Sequence, residues 1–379
     1  MKFLHTSDWH LGKKLEGRDR NLEQRAAIEE IAKICDAENI DAVIIAGDIF
    51  DTALPSGEAE TLFYEGMALL SKRGARKVIV IAGNHDDVGR VTAADKLARI
   101  ADITLCGGAD SVCFERNGEK AVIAMLAYPS ESGMAELSNA EGGKEKGETL
   151  FGEKVKSWFS VGANAFRKDT INIAVSHLFA LEAQGGGEGD ERDITLGGAN
   201  LVAKKYFPQS HYTALGHIHK PMAIDKVRNI WYSGSILSYS FDEKGGKEVI
   251  VFDCDKSGVK SLKHIPLTSG KGLKVLTAKS FSEAYSLLEK NTDKYTLLKL
   301  NLKEPLADSQ NKELRNTFPD LLKIELVLPE SADEAERGSL KELSNEEIFR
   351  GFYKRENNMD APKDVTALFL KLMEGDTSI

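Results

Sequence analysis

Short apolar runs recur through the first 270 residues, and a segment containing glycine and polar side chains follows most of them. The clearest runs are 42–46, 77–82 and 171–175, which are rich in valine, isoleucine and alanine. Runs of this length and composition predict buried strands. Between several of them, apolar residues recur at helical spacing, as at Ile28 and Ile31. Strands that alternate with helices indicate an α/β sheet with right-handed crossovers.

The pattern changes after Gly270. Residues 273–328 show strand and helix patterns in alternation, which predicts a small α+β unit. A charged, polar linker then leads to two short amphipathic stretches that predict a helical hairpin. A hairpin of this size has no core of its own, so it buries its apolar faces either on the same chain or on a partner, and the spacing fits both alternatives. We therefore divide the chain into domains 1–270 and 271–330, a linker 331–343, and a helical segment 344–379.

Two glycine-rich segments interrupt the first domain. The segment 141–148 predicts a polar loop, after which we expect a helix from about residue 150 to 166. The segment 184–193 is rich in glycine and acidic residues, predicts a surface excursion, and matches no functional motif that we can assign.

Composition and charge restrict the classes of function. The 379 residues are 42% hydrophobic and 29% charged, and no apolar run is long enough to span a bilayer, so we expect a soluble cytoplasmic protein without a membrane partner. The formal net charge of −9 argues against a broad basic surface for nucleic acid but leaves room for a local basic groove, with Lys13, Lys14, Arg18 and Arg20 as candidates. Four scattered cysteines indicate neither a zinc ribbon nor a disulfide framework.

Polar side chains that can bind metal ions follow five of the predicted strands. They are Asp8 and His10, Asp48, Asn84 with His85, His177, and His217 with His219. Each motif alone is more typical of an ordinary turn or of surface polarity. All five occur at the carboxyl ends of predicted strands, where open α/β sheets place their sites, and together they predict a metal site.

Seven of these side chains offer oxygen or nitrogen ligands, which is too many for one tetrahedral ion and fits two ions that share Asp48. A donor set rich in imidazole favours manganese, iron or zinc over magnesium. Two such ions about 3.5–4 Å apart can lower the pKa of a bridging water and stabilise an in-line displacement at phosphorus, so we expect phosphoester hydrolysis. His85 could then protonate the leaving oxygen, and Asp51 could fix the His85 tautomer. We assign His5, His211 and His264 structural roles.

The motifs resemble those of the calcineurin-type metallophosphoesterase superfamily. They are Asp8-Trp9-His10, Gly47-Asp48-Ile49-Phe50-Asp51, Gly83-Asn84-His85-Asp86, Ser176-His177 and Gly216-His217-Ile218-His219. The resemblance implies a four-layer α/β/β/α fold, which here would carry the small α+β domain and the C-terminal helical hairpin.

Finer features are similar to one branch of this superfamily, the SbcD-type nuclease subunits of bacterial complexes. They are His5 to Lys13, Gly47 to Thr52, Gly216 to Pro221, and Tyr232 to Ser235 with Ser240-Phe241-Asp242-Glu243. The resemblance implies that Asp8, His10, Asp48 and His219 hold one manganese ion, and that Asp48, Asn84, His177 and His217 hold the other. Another divalent transition metal could take the place of manganese.

The same resemblance implies the activity and the partners. It implies a manganese-dependent DNA nuclease in DNA end processing, repair and recombination, with 3'-5' exonuclease activity on double strands and endonuclease activity on single strands and hairpins. The complex would be nucleoid-associated and ATP-dependent, with an SbcC-type ABC ATPase and a homodimer of this chain within a heterotetramer. Residues 271–330 would help to position DNA, and the C-terminal helices would bind the coiled-coil base of the ATPase.

Two other functions use the same motifs. One is a phosphodiesterase or phosphatase that acts on small nucleotides or phosphoproteins, and the other is a DNA-binding scaffold whose hydrolysis is incidental. The accessory domain and the terminal hairpin favour the nuclease, because an enzyme for small substrates would not need them.

Overall fold

The computed structural model describes residues 1–129, 144–180, 201–302 and 306–327, together with isolated residues between 346 and 369; for 144–149 it describes only the backbone. The chain forms two compact units. The first contains Met1–Val275, Lys290–Leu297 and Phe318–Lys323, and the second contains Leu276–Glu289, Leu298–Thr317 and the described residues from Ile324 onward.

The first sheet has six strands in the order β12-β11-β1-β2-β3-β4. Their bounds are β1 Lys2–Thr6, β2 Ala42–Ala46, β3 Lys77–Ile81, β4 Ile103–Cys106, β11 Lys247–Asp255 and β12 Gly258–Leu267. Strands β1 to β4 run parallel, and β11 pairs antiparallel with β1 and with β12. Every residue of β2 and β3 is buried, as expected for central parallel strands that are covered on both faces.

The second sheet also has six strands, in the order β5-β6-β7-β8-β10-β9. Their bounds are β5 Ala109–Arg116, β6 Glu119–Leu126, β7 Ile171–His177, β8 Tyr212–Gly216, β9 Met222–Asp225 and β10 Ile230–Tyr232. Strands β6, β7, β8 and β10 run parallel, so their carboxyl ends lie at one edge of the sheet.

Helices cover the outer faces of the two sheets. The helices of this unit are α1 Asn21–Ala37, α2 Gly57–Ser71, α3 Val88–Thr92, α4 Asp95–Ala98 and α5 Lys144–Ala163, with 3-10 turns at Arg99–Ala101 and Lys204–Tyr206. Because α5 begins at Lys144, the loop predicted for 144–148 is wrong. The glycines suggested a loop, but the lysine and glutamate residues between them favour a helix.

Alternation along the second sheet divides the core into two layers. Ile173 and Val175 of β7 join a cluster that includes the first sheet and helices α1 and α2. Ala174 between them joins a second cluster with Phe151 and Phe159 of α5. Successive strand residues face opposite sides of a sheet, so the order of layers is helices, sheet, sheet, helix. The expected four-layer α/β/β/α fold is confirmed.

A third sheet follows in sequence, in the order β13-β14-β15. Its strands are β13 Leu273–Ala278, β14 Tyr295–Leu300 and β15 Leu321–Leu326, with α6 Phe281–Glu289 and α7 Asp308–Thr317 between them in the chain. These elements agree with the predicted small α+β unit. The domain boundaries at 270, 330 and 343 stay predictions.

Much of the expected C-terminal hairpin, and the whole segment 184–193, lie outside the described residues. Of the hairpin, Phe349 and Phe369 are described, and their rings stack with centroids 4.2 Å apart. The two amphipathic stretches therefore contact each other at this point. Among the described helices, none has the length and apolar character needed to cross a membrane.

Candidate metal centre

The polar strand ends predicted from the sequence lie together in the folded chain. Asp8 and His10 follow β1, Asp48 and Asp51 follow β2, and Asn84 and His85 follow β3; from the second sheet, His177 ends β7, and His217 and His219 follow β8. Parallel strands bring their carboxyl ends to one edge, and the two sheets pack face to face, with β7 and β8 against β2. Side chains from both sheets therefore meet in one place.

The backbone at this edge adopts a conformation that is unusual for residues with a side chain. The φ angles of Asp8, His10, Asp48 and His217 are 53°, 44°, 51° and 105°. Each such residue costs about 1–3 kcal/mol and persists only where its surroundings fix it. Here the N–H of Asp8 donates to the carbonyl of Gly47 at 3.0 Å, and that of His10 donates to the carbonyl of Asp48 at 3.0 Å. Four of the seven predicted ligands thus have strained backbone, which is characteristic of functional sites.

One half of the site contains Asp8, His10 and His219, all buried, whose ligand atoms lie within 4.8 Å of one another. The Nε2 atoms of His10 and His219 are 2.9 Å apart. His10 Nε2 is also 3.6 Å from Asp48 Oδ2. The nitrogen atoms of two imidazoles and the oxygen atoms of two carboxylates therefore face a common volume.

The other half contains Asn84, His177 and His217. Asn84 Oδ1 lies 3.0 Å from His177 Nε2 and 3.0 Å from His217 Nδ1. His177 Nε2 is 3.3 Å from Asp48 Oδ2, the same oxygen that faces His10. The Asp48 carboxylate therefore lies between the two halves, in the position expected of a shared ligand.

These residues fit divalent cations on two further observations. Within the described part of the chain, buried Asp48 Oδ2 accepts no hydrogen bond, which is costly for a carboxylate oxygen unless a cation compensates. Glycines also leave room around the carboxylate, because a Cβ at Gly83 would overlap Asp48 Oδ1 and one at Gly216 would overlap the carbonyl of Ala46. A buried set of imidazole nitrogens, carboxylates and an amide oxygen fits manganese, iron or zinc.

The charges of the site depend on one another. Burial raises the pKa of Asp8 to about 6. Burial also opposes ionisation of Asp48, but the adjacent His177 outweighs it and holds the pKa of that carboxyl well below its usual value. Burial lowers the pKa of His177, whereas the negative charge of Asp48 raises it further, to about 10. The positive charge beside Asp48 is thus a proton on His177, and a cation bound by both residues would release that proton.

His85 is half-buried and lies at the rim of the first half. Its main-chain N–H donates to Asp48 Oδ1 at 3.0 Å, and its Nδ1 lies 2.8 Å from the main-chain oxygen of Asp51. Asp51 thus meets His85 through its backbone, while its carboxylate pairs with Lys13 Nζ at 2.8 Å. This contact places the ring proton on Nδ1, the tautomer that a carbonyl oxygen selects.

The structure adds two residues to which no sequence motif assigned a role. Asp86 accepts hydrogen bonds from the backbone N–H groups of Gly83, Ile49 and Phe50 at 2.8, 3.1 and 2.9 Å, so it ties the turn after β3 to the turn after β2. Glu243 contacts His219 Nδ1 through Oε1 at 3.4 Å. The available signals were an acid directly after Asn84-His85 and the acid that ends the stretch Ser240 to Glu243.

Comparison with known proteins agrees with this geometry. The family model of calcineurin-like phosphoesterases matches residues 1–221, and the model described as type 5 capsule protein repressor C-terminal domain matches residues 269–357. Three relatives carry the name of the SbcD chain of nuclease SbcCD. The protein of Bacillus subtilis (strain 168) is 37% identical over 387 residues, which cover 99% of this chain and 98% of the relative. That of Rhodobacter capsulatus is 32% identical, covering 70% and 69%, and that of Escherichia coli (strain K12) is 27% identical, covering 92% of each.

Proposed function

Because the chain belongs to the calcineurin-like phosphoesterase family and, within it, to the SbcD nuclease subunits, we propose that it hydrolyses DNA phosphodiester bonds as the nuclease subunit of an SbcCD-type complex. The observation that carries the proposal is the convergence of five strand ends on the buried Asp48 carboxylate. Similarity to an SbcD protein over 99% of the chain adds the substrate class.

The residues around Asp48 would hold two divalent cations. We assign Asp8, His10 and His219 to one ion, Asn84, His177 and His217 to the other, and Asp48 to both. When bound, such a pair neutralises charge on a phosphate and lowers the pKa of an attacking water. Manganese is the ion we propose, because imidazole and carboxylate donors occur together in both halves.

His85 acts on the leaving oxygen. Its backbone is tied to Asp48 Oδ1, so the ring has a fixed position relative to the ligands. Its Nδ1 is committed to the Asp51 main-chain oxygen, so a protonated ring presents its second proton at Nε2. We therefore assign His85 the role of proton donor to the departing DNA oxygen.

The loop that contains residues 12–20 supplies candidates for contact with the DNA backbone. Arg20 is buried and pairs with Glu23 at 2.6 Å, which removes it from the candidates. Lys13 pairs with Asp51 next to the site. Lys14 and Arg18 are exposed, so we propose these two as phosphate contacts.

The finer properties of the complex are part of the same proposal. We propose 3'-5' exonuclease activity on double strands, endonuclease activity on single strands and hairpins, and stimulation by ATP through an SbcC-type ATPase. A homodimer of this chain within a heterotetramer is the proposed assembly. The support is similarity to SbcD proteins over most of the chain.

The test is cleavage by the purified chain of a blunt, end-labelled duplex and of a small phosphodiester, bis(4-nitrophenyl) phosphate, with Mn²⁺ or with EDTA. We expect Mn²⁺-dependent cleavage of the duplex, and loss of cleavage in Asp48→Asn. Duplex degradation that ATP and the ATPase subunit accelerate would support the complete proposal. Cleavage of the small diester alone would contradict the DNA substrate and favour an enzyme for small nucleotides with the same core.

A further inference from the structure

Glu243 is a buried carboxylate that the proposed reaction does not yet use. It lies between β10 and β11, and its side chain is only 6% exposed. Its Oε1 accepts hydrogen bonds from the main-chain N–H groups of Tyr239 and Ser240 at 2.9 and 3.1 Å. A carboxylate that is removed from water and held by several donors has a fixed orientation. What it faces is therefore fixed as well.

The side chain that Glu243 faces is His219. Glu243 Oε1 lies 3.4 Å from His219 Nδ1, while His219 Nε2 is directed at His10 Nε2, 2.9 Å away. If Nδ1–H donates to the carboxylate, the lone pair of Nε2 is directed into the site. In metal proteins a carboxylate that accepts from the second nitrogen of a histidine fixes the tautomer and orientation of the ring and raises its basicity as a ligand.

Lys247, the first residue of β11, fixes this carboxylate from the other side. Its Nζ lies 2.5 Å from Glu243 Oε2 and donates to the carbonyl oxygen of His219 and to Ser235 Oγ, both at 2.8 Å. Lys247 therefore compensates the charge of Glu243 and also holds the main chain of His219. Glu243 and Lys247 together fix both the ring and the backbone of one ligand.

The other half of the site is built differently. There His177 Nδ1 contacts the main-chain oxygen of Ala46 at 2.8 Å, a neutral acceptor in the place where His219 has a carboxylate. The two cation sites of the proposed function therefore differ in the strength of the contact behind a histidine ligand.

We propose that Glu243, held by Lys247, is a positioning residue that orients His219 and strengthens the cation site built from Asp8, His10 and His219 relative to the site built from Asn84, His177 and His217. This inference rests on the proposed two-cation site. It assigns a role to the stretch Ser240 to Glu243, which the motifs of the site left unexplained.

The test is a Mn²⁺ titration of the full chain, followed by electron paramagnetic resonance and calorimetry, for the wild type and for Glu243→Gln. Glutamine has nearly the shape of glutamate but no charge, so we expect one of two Mn²⁺ dissociation constants to rise about 10–100-fold while the other stays unchanged. Glu243→Asp should recover part of the lost affinity. Asp242→Asn, in the same turn but exposed, is the matched control and should bind both ions as the wild type does.

Circular dichroism and the melting temperature of the metal-free variants identify loss of folding. If Glu243→Gln does not fold, Lys247→Met gives the second measurement, because a carboxylate without its lysine is less firmly oriented and the same Mn²⁺ constant should rise. Folded variants with both wild-type constants, or with both constants weakened equally, would overturn the inference. A wild-type chain that binds fewer than two Mn²⁺ ions would instead overturn the proposed two-cation site.

Discussion

His85 is connected to the site through its backbone, while its ring is held at the rim. The N–H that donates to Asp48 Oδ1 belongs to the main chain and survives any side-chain substitution. The ring contacts the Asp51 main-chain oxygen and lies edge-on to His10 with ring centroids 4.9 Å apart. Ring and backbone can therefore be separated by experiment.

For His85→Ala we expect Mn²⁺ to stay bound while turnover on DNA falls by about 10²–10⁴-fold, the usual contribution of a general acid. Calorimetric Mn²⁺ binding and single-turnover cleavage measure the two effects. His264→Ala, in a strand remote in sequence from the motifs, serves as the control and should leave both unchanged. Loss of metal from His85→Ala would mean that His85 is a ligand, and the role assigned to it would be wrong.

At the scale of elements, the strands were predictable because their residues state their environment. Residues 42–46 and 77–81 contain β-branched and other apolar residues almost throughout, as central strands buried on both faces require. Helix α5 begins earlier than its sequence predicts, because three glycines among the charged residues 141–148 resemble a loop, although the helix contains glycines of its own. Local propensity does not decide such a case.

The predicted metal-binding side chains could be found in the sequence since each lies next to a strand end, a local signal. The roles of Asp86 and Glu243 could not, because both depend on hydrogen bonds between distant turns. Glu243 is 24 residues from His219, and Asp86 is 36 and 37 residues from Phe50 and Ile49. Sequence separation of this kind contains no distance information, so supporting contacts appear only in the folded chain.

The two sheets are joined by a polar contact at His5, a residue for which we expected a structural role. His5 in β1 is buried; its Nδ1 lies 3.0 Å from the hydroxyl of Tyr212, and its Nε2 lies 3.1 Å from the carbonyl oxygen of Leu215, both in β8. The carbonyl must accept from Nε2–H, so the hydroxyl donates to Nδ1, and the ring is neutral. Burial lowers the pKa of His5 to about 3.

This contact predicts a loss of stability in acid. Between the unfolded pKa of about 6.5 and the folded pKa of about 3, the unfolded chain binds a proton that the folded chain does not, so the free energy of unfolding falls as the pH falls. At about 1.4 kcal/mol per pH unit, His5 accounts for about 2 kcal/mol between pH 7 and pH 5. Urea unfolding in EDTA, which removes the pH dependence of metal binding, measures this difference.

We expect His5→Gln to show a smaller loss between pH 7 and pH 5 than the wild type. Tyr212→Phe removes the hydroxyl but keeps the imidazole, so it should be less stable at both pH values and still lose stability in acid. Equal pH dependence in His5→Gln and the wild type would show that His5 does not contribute in this range.

At the scale of the whole molecule, an acidic chain must act on a polyanion. The net charge of −9 is unfavourable for binding DNA at long range, so the proposed function needs local contacts and, in the complex, help from a partner. The stacked rings of Phe349 and Phe369 indicate that the two C-terminal amphipathic stretches act as one surface. We propose that this surface binds the ATPase.

Deletion of residues 344–379 should abolish association with the ATPase subunit and leave basal Mn²⁺-dependent nuclease activity intact, because the metal-binding side chains all lie between Asp8 and His219. Size-exclusion chromatography of the mixed subunits and a parallel nuclease assay measure the two properties. Co-elution of the shortened chain with the ATPase would contradict the assignment of this segment.

The convergence of five strand ends on Asp48 predicts one site for two cations that share this carboxylate. Anomalous diffraction at the manganese absorption edge, from crystals grown with Mn²⁺, tests this most directly. We expect two peaks per chain, about 3.5–4 Å apart, with the Asp48 carboxylate in contact with both. A single peak, or two peaks of which one lies away from Asp48, would contradict a shared two-cation site.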